Sequence, residues 1–124
     1  MLLAIDVGNT NIKYGVFEKD RLAASFRVAS HLKKTADEYG AVLTNLLSTS
    51  GIRAAEIDGV ILSSVIPSLN YTICHMCEYF FRMKPVVVGP GVKTGLNVKA
   101  DNPREVGADI IVNSVGAFRK YGGA

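Results

Sequence analysis

Residues 2–28 read LLAIDVGNTNIKYGVFEKDRLAASFRV, and this stretch predicts the first part of a sheet. An apolar run over 2–7 is followed by two runs, 11–17 and 21–28, in which apolar side chains largely alternate with polar or small ones. This period of two is typical of half-buried strands. The connections between the runs are short and polar, so they can join only antiparallel neighbours. The sequence therefore predicts an antiparallel meander of three strands.

The period of the apolar residues changes after residue 30. Thr35 and Glu38 have the spacing of a capping box, which predicts that a helix begins here. Gly51 stands where a glycine commonly ends a helix. Between these signals, apolar residues recur at helical spacing: Tyr39, Val42, Leu43, Leu46 and Leu47. We expect an amphipathic helix with these side chains on its buried face.

A second strand–helix pair follows this helix. Residues 57–64 form an apolar run that predicts a buried strand, and Pro67 suits the first turn of the next helix. That helix carries a single apolar stripe, made of Leu69, Ile73, Met76, Cys77 and Phe80. The sequence therefore predicts two helices with similar amphipathic character, each joined to a strand.

The last third of the chain predicts one more strand and one more helix. Residues 85–88 indicate a short strand, and a loop follows over 89–100. Asn102 and Pro103 repeat the signal for the beginning of a helix, which should run from Pro103 to about Lys120. The order βββ-α-β-α-β-α combines an antiparallel meander with a parallel portion. We predict an α/β domain with a mixed sheet flanked by helices.

Length and composition place the chain among ordinary globular domains. It has 124 residues, 48% hydrophobic and 20% charged, which is the size and balance of one folded domain. Fourteen Lys and Arg against eleven Asp and Glu give a net charge of +3, and the basic residues are scattered rather than clustered as in a nucleic-acid-binding protein. No apolar run approaches the ~20 residues that span a bilayer, and the N-terminus lacks a basic leader. We expect a cytoplasmic protein without membrane or nucleic-acid partners.

The strongest local motif is DVGNTNIK, residues 6–13, at the tip between the first two strands. Gly8 would let backbone amides approach an anion, and Thr10 and Asn11 offer side-chain donors. Asp6 could hold a magnesium ion, directly or through water, and Lys13 could reach a phosphate. The alternative is a hairpin whose Gly-Asn pair serves only the geometry of its turn.

A second motif, EVGAD, covers residues 105–109 in the predicted third helix. Glu105 and Asp109 are four residues apart and therefore share one helix face. Gly107 costs about 1 kcal/mol in a helix relative to alanine, so it suggests close approach of a ligand or a neighbouring backbone. The alternative is a capping glutamate followed by an aspartate that faces solvent.

Cys74 and Cys77 have the spacing of a CxxC motif, with His75 between them. A redox pair needs to lie at the N-terminus of a helix, whereas this pair falls about two turns into one. A zinc site would need further ligands, and the only other histidine is His31. We predict that both thiols are structural.

Three motifs in this order and spacing resemble the type III pantothenate kinase family, within the acetate and sugar kinase/Hsp70/actin superfamily. They are DVGNTNIK from residue 6, GPGVKTGLNVK from residue 89 and DNPREVGADIIVN over 101–113, and the resemblance covers all 124 residues. It implies a ribonuclease H-like domain, which the predicted element order matches. It also implies ATP-dependent phosphorylation of pantothenate, the first step towards coenzyme A. Magnesium, a monovalent cation (potassium or ammonium) and a homodimer are further implications.

The resemblance also implies roles for individual residues. The first phosphate motif would bind ATP through Asp6, Val7, Gly8, Asn9, Thr10, Asn11, Ile12 and Lys13, with Asp6 organising magnesium. Pantothenate would contact Ala100, Gly107, Ala108, Asp109 and Ile110. Asp109 would be the catalytic base that takes the proton from the substrate hydroxyl.

Two positions depart from the pattern of the family. Ile110 stands where the family usually has an arginine beside the catalytic aspartate, and Ala100 where it usually has a tyrosine that lines the substrate pocket. The family also has a second domain, which carries the second phosphate motif, the adenosine motif and the monovalent cation site. We expect residues 1–124 to form only the N-terminal domain, with those sites outside it. The alternative is a non-catalytic superfamily member that acts as a binding or regulatory protein.

Overall fold

The computed structural model describes residues 1–88, which contain five strands, two α-helices and one short 3-10 helix. The strands are β1 (Leu2–Val7), β2 (Asn11–Glu18), β3 (Arg21–Ala29), β4 (Gly59–Ser64) and β5 (Val86–Val88), and the helices are α1 (Ala36–Thr49) and α2 (Pro67–Phe80). The predicted loop over 89–100, the predicted third helix and Ala100 to Ile110 of the predicted site lie outside the described residues. No helix in the described part is long and apolar enough to cross a membrane.

The strands form one mixed sheet in the order β3-β2-β1-β4-β5. The first three are antiparallel neighbours, whereas β4 runs parallel to β1 and β5 runs parallel to β4. The predicted meander and the predicted parallel portion are both confirmed. Consequently β1, β3 and β4 end, and β2 begins, at the same edge of the sheet, which we call the carboxyl edge.

The ends of α1 follow the local signals in the sequence. The Thr35 hydroxyl accepts a hydrogen bond from the Glu38 N–H at 3.2 Å, and the Glu38 carboxylate accepts one from the Thr35 N–H at 3.1 Å. At the other end, Gly51 has a φ of 73°, and the N–H of Ile52 donates to the carbonyl of Leu47 at 3.0 Å. These bonds satisfy backbone groups that the helix leaves open at its two ends.

Both helices pack on the same face of the sheet. Strand residues of odd number in β1 and even number in β2 point to this face, because side chains alternate along a strand. The main core consists of these side chains, buried residues of both helices and of β4, and three residues outside these elements: Leu3, Ile5, Val7, Ile12, Tyr14, Val16, Tyr39, Leu43, Leu47, Ile52, Ile57, Val60, Leu62, Leu69, Ile73, Met76, Cys77 and Phe81. A smaller cluster occupies the opposite face and contains Leu2, Ala4, Phe17 and Ile61.

The apolar stripes predicted for α1 and α2 are slightly wider than the faces that these helices bury. Val42 is 40% exposed, and Leu46 and Phe80 are only half-buried. In α1 the buried line runs through Tyr39, Leu43 and Leu47, and Val42 lies one residue, or about 100°, away from it. Gly40 also belongs to the buried face, because a Cβ atom there would lie 2.0 Å from the Phe80 ring. A glycine therefore permits the close approach of α1 and α2.

The segment before β4 differs from the prediction. Residues 54–56 form a 3-10 helix, and the strand begins at Gly59 rather than at position 57. The N–H of Ile57 donates to the carbonyl of Ala54 at 3.1 Å, so this amide belongs to the turn although the Ile57 side chain is buried. Apolar character predicted the burial of Ile57 correctly but not its hydrogen-bond partner.

Candidate active site

The tip between β1 and β2 is a three-residue loop, Gly8 to Thr10, at the carboxyl edge. The N–H of Gly8 donates to the carbonyl of Asn11 at 2.9 Å, and a Cβ atom on Gly8 would lie 3.1 Å from that same oxygen. Neither Gly8 nor Asn9 has a positive φ, so the primed turns that favour Gly-Asn pairs are not formed. Glycine suits this position because two backbone segments approach closely there, and a Cβ atom would require a small displacement of the Asn11 carbonyl.

Asp6 is the penultimate residue of β1, and its side chain lies on the sheet face opposite α1 and α2. It pairs with Lys13 across the antiparallel ladder and with Ser63 across the parallel one, so the three residues form one row over neighbouring strands. Asp6 and Lys13 are half-buried, and Ser63 is 5% exposed. Burial raises the pKa of the Asp6 carboxyl, and the positive charge of Lys13 opposes this shift. A carboxyl group whose ionised form is disfavoured by burial thus lies beside a lysine near the carboxyl edge of the sheet.

The predicted phosphate motif divides into two sets of side chains. Val7 and Ile12 are completely buried in the main core, so only their backbone groups can face a ligand. Asn9 and Thr10 are exposed, and Asn11 is half-buried at the beginning of β2. The N–H groups of Asn9 and Thr10 form no hydrogen bond with any residue in 1–88. The loop can therefore offer two backbone donors and several polar side chains to an anion.

Ser30 was not expected from the sequence but is joined to this loop. Its hydroxyl donates to the carbonyl of Gly8 at 2.7 Å, and its N–H donates to the carbonyl of Thr10 at 2.9 Å. It is the first residue after β3. No local pattern marks such a serine, because its role depends on the pairing of β2 with β3.

An open cavity of about 470 Å³ adjoins the loop. It lies between the β1–β2 tip, the β3–α1 connection and the beginning of α2, and its lining residues are Asn9, Ser30, His31, Leu32, Val65, Ile66 and Pro67. In α/β sheets, ligands usually bind outside the carboxyl ends of the strands. Through Asn9, the predicted phosphate motif therefore adjoins a concave surface at the carboxyl edge of the sheet.

The CxxC cysteines do not form a reactive pair. Both are free, Cys77 is completely buried in the main core and Cys74 is half-buried. Burial raises the pKa of the Cys77 thiol to about 12, which suppresses the reactive thiolate. Among residues 1–88, no three His, Cys, Asp or Glu side chains are grouped so as to hold a metal. These observations agree with the structural role that the sequence predicts.

Replacing Cys77 with alanine should lower stability without affecting chemistry. The substitution leaves a void in the core, so we expect a loss of roughly 1–2 kcal/mol in the free energy of unfolding. Cys74→Ala is the matched control and should have a smaller effect, because Cys74 is half-buried. Denaturant unfolding measures both effects. Stoichiometric zinc that either substitution releases would contradict the structural assignment.

Solved structures of other proteins share this fold. The structure of the ROK hexokinase from Thermus thermophilus superimposes with a TM-score of 0.55 and 16% identity. The match covers 71% of this chain and 34% of the hexokinase chain. The Thermus thermophilus RuvC structure with a Holliday junction substrate matches 99% and 96% of the two chains, also with 16% identity and a TM-score of 0.55. At such identity the likeness concerns the fold alone. The domain therefore has the ribonuclease H-like α/β fold that the sequence predicts.

Sequence comparison assigns the chain within this class. Residues 2–124 match the family model of type III pantothenate kinase, and the chain belongs to that family. A type III pantothenate kinase from Bacillus cytotoxicus is 49% identical over 122 residues, which cover 98% of this chain and 47% of the relative. One from Halalkalibacterium halodurans is 46% identical, with 98% and 48% covered. The chain thus spans about half the length of these curated relatives.

Proposed function

We propose that the full-length protein transfers the γ-phosphoryl group of ATP to the hydroxyl of pantothenate, the first step of coenzyme A synthesis. Family membership over residues 2–124 supports this reaction class. It also favours the kinase over a non-catalytic binding or regulatory protein, because the relatives at 46–49% identity are named as kinases. In this proposal the present chain supplies the first phosphate motif and the base.

The observation that carries the proposal is the position of Asp6. A half-buried carboxylate within an apolar strand is unfavourable for folding, and burial raises the pKa of this group. Its row partner Lys13 lies in β2, the strand that follows the loop, and the N–H groups of Asn9 and Thr10 in that loop form no hydrogen bond within residues 1–88. Phosphoryl transfer depends mainly on positioning and on neutralising charge, and this arrangement offers both.

The residues of the tip have separate roles in the proposal. The N–H groups of Asn9 and Thr10, with the side chains of Thr10 and Asn11, bind phosphate oxygens. Lys13 balances the negative charge of the phosphates. Val7 and Ile12 hold the two strands in the core, which limits movement of the loop between them.

Asp6 suits a magnesium ion that is held partly by phosphates and water. It suits less well a metal whose ligands all come from the protein. Magnesium keeps several waters and is commonly held by one or two carboxylates together with substrate phosphates. A single half-buried carboxylate beside an anion-binding loop matches that preference, and residues 1–88 offer no larger group of metal ligands. When bound, magnesium would neutralise charge on the phosphates. The monovalent cation of the family is also part of the proposal.

The acceptor side of the reaction is assigned from the sequence motif over 101–113. Asp109 takes the proton from the pantothenate hydroxyl while its oxygen bonds to the γ-phosphorus and the bond from that phosphorus to the bridging oxygen of ADP breaks. Pantothenate contacts Ala100, Gly107, Ala108 and Ile110 in the same proposal. We also propose a cytoplasmic homodimer that uses neither nucleic acid nor membrane as a partner, in keeping with the scattered charge.

A kinase assay tests the function directly. The full-length protein with ATP and magnesium should release ADP only when pantothenate is present, and mass spectrometry should detect phosphorylated pantothenate. Residues 1–124 alone should unfold cooperatively on heating but show no turnover, because the family's second phosphate motif is expected outside them. ADP release that does not depend on pantothenate would contradict the proposed substrate. Turnover by residues 1–124 alone would contradict the proposal that the active site needs a second domain.

A further inference from the structure

We propose that Ser30 is a positioning residue for the nucleotide, because it fixes the backbone of the phosphate loop from the end of β3. The inference rests on the proposed function, since it concerns how the same loop binds phosphate. It adds a residue that lies seventeen positions beyond the motif, which ends at Lys13.

Two hydrogen bonds from one residue hold both ends of the loop. The Ser30 hydroxyl reaches the carbonyl of Gly8 at 2.7 Å, and the Ser30 N–H reaches the carbonyl of Thr10 at 2.9 Å. The third bond of the loop joins the N–H of Gly8 to the carbonyl of Asn11 at 2.9 Å. A loop of three residues with three such bonds has little freedom to change its backbone angles.

The bond to Gly8 also determines where a donor points. The carbonyl of Gly8 and the N–H of Asn9 belong to one planar trans peptide, in which they point in opposite directions. Because the carbonyl is directed at Ser30, the N–H of Asn9 is directed away from it. That N–H has no acceptor among residues 1–88, so it stays available for an anion. Ser30 thus orients one of the donors without contacting the ligand itself.

Ser30 is in turn anchored to the helical layer. The hydroxyl of Tyr39, in the first turn of α1, accepts from the N–H of His31 at 2.8 Å and donates to the carbonyl of His31 at 2.7 Å. Tyr39 is 2% exposed and belongs to the main core. The backbone next to Ser30 is therefore hydrogen-bonded to a buried side chain of the core. Through Ser30, this contact helps to fix the position of the loop.

Three variants of the full-length protein test the inference. Ser30→Ala removes the hydroxyl, Ser30→Thr retains it, and Ser25→Ala is the matched control, an exposed serine on β3 whose hydroxyl forms no hydrogen bond within residues 1–88. We expect Ser30→Ala to raise KM for ATP and Kd for a non-hydrolysable ATP analogue roughly tenfold, with KM for pantothenate within twofold of the parent. Ser30→Thr should restore both values to within about threefold, and Ser25→Ala should match the parent.

A merely structural role for Ser30 predicts a different result. Partial unfolding would reduce the active fraction, which lowers kcat and leaves the KM for each substrate unchanged. That outcome, or an unchanged Kd for the ATP analogue, would overturn the inference. Amide hydrogen exchange of the segment 8–11 without nucleotide adds a measurement that needs no kinase activity. Faster exchange in Ser30→Ala than in Ser25→Ala supports the proposal that Ser30 fixes the loop backbone, even if pantothenate proves not to be the acceptor. Equal exchange in the two variants contradicts it.

Discussion

Replacing Asp6 with asparagine in the full-length protein should lower kcat for pantothenate phosphorylation by roughly 10²- to 10³-fold, the usual loss when one charge-stabilising group is removed. Asparagine keeps the shape of the side chain but removes the negative charge next to Lys13. In our proposal that charge organises magnesium and the phosphates, so the loss should appear with every acceptor. Steady-state kinetics over a range of magnesium concentrations measures it.

The same substitution should leave the fold intact. Burial raises the pKa of Asp6 above its ordinary value, so the ionised carboxylate lowers the stability of the folded state at neutral pH. This cost is absent below the pKa of the unfolded chain and develops as the pH rises through the folded-state pKa. A neutral amide removes it, so Asp6→Asn should be as stable as the parent or more stable at pH 7.

Asp58→Asn is the matched control for Asp6. Asp58 contacts the N-terminal amine at 3.2 Å, and its side chain is 80% exposed at the opposite end of the sheet. Such surface pairs contribute little to stability, and Asp58 is not part of the proposed site. Near-parental kcat in Asp6→Asn, or equal losses in both variants, would exclude the proposed role of Asp6.

Replacing Asp109 with asparagine should reduce kcat by roughly 10²- to 10⁴-fold, which is the usual contribution of a general base. The proposed base contacts the acceptor hydroxyl rather than ATP, so the affinity for nucleotide should remain nearly unchanged. Comparing kcat with a directly measured Kd for nucleotide separates the two effects. If Asp109→Asn kept near-parental kcat, the base assignment would be wrong and the binding or regulatory function would be favoured.

Ile110→Arg is the companion to Asp109→Asn. An arginine at this position would restore the residue usual in the family, lower the pKa of Asp109 and attract the developing phosphoryl charge. We expect a higher kcat/KM for pantothenate. Thermal unfolding of the same variant measures whether the added charge changes the stability of the protein.

Much of the fold could be predicted because its signals are local. The capping box of Thr35 and Glu38 closes within four residues, and Gly51 adopts its left-handed backbone at the end of α1. The short connections around β2 leave only antiparallel pairing, and the resulting ladder places Asp6 opposite Lys13. For the same reason, the sequence correctly predicted that residues 8–10 lie at the tip of a hairpin.

The sequence could not predict features that depend on which elements meet. The burial of a helical residue is set by the angle at which the helix rests on its neighbours, so Val42 fits the period and still is 40% exposed. The amide of Ile57 bonds to Ala54 in a turn, although its side chain has the apolar character of a strand. The local sequence pattern indicates which secondary structure a residue favours. Tertiary packing then determines which side chains are buried and where each strand begins.

Within residues 1–88, local signals were enough to predict the order of the strands and α-helices, the ends of α1 and the antiparallel hairpin, and sequence motifs indicated the family. These follow from hydrogen bonds and periodicities that close within a few residues, or from motifs along the chain. Three further contacts are seen only in the folded domain: Ser30 with Gly8 and Thr10, Ser63 beside Asp6, and the Tyr39 hydroxyl with the His31 backbone. Those contacts join residues that are 8 to 57 positions apart, so they arise only when the sheet and α1 have assembled.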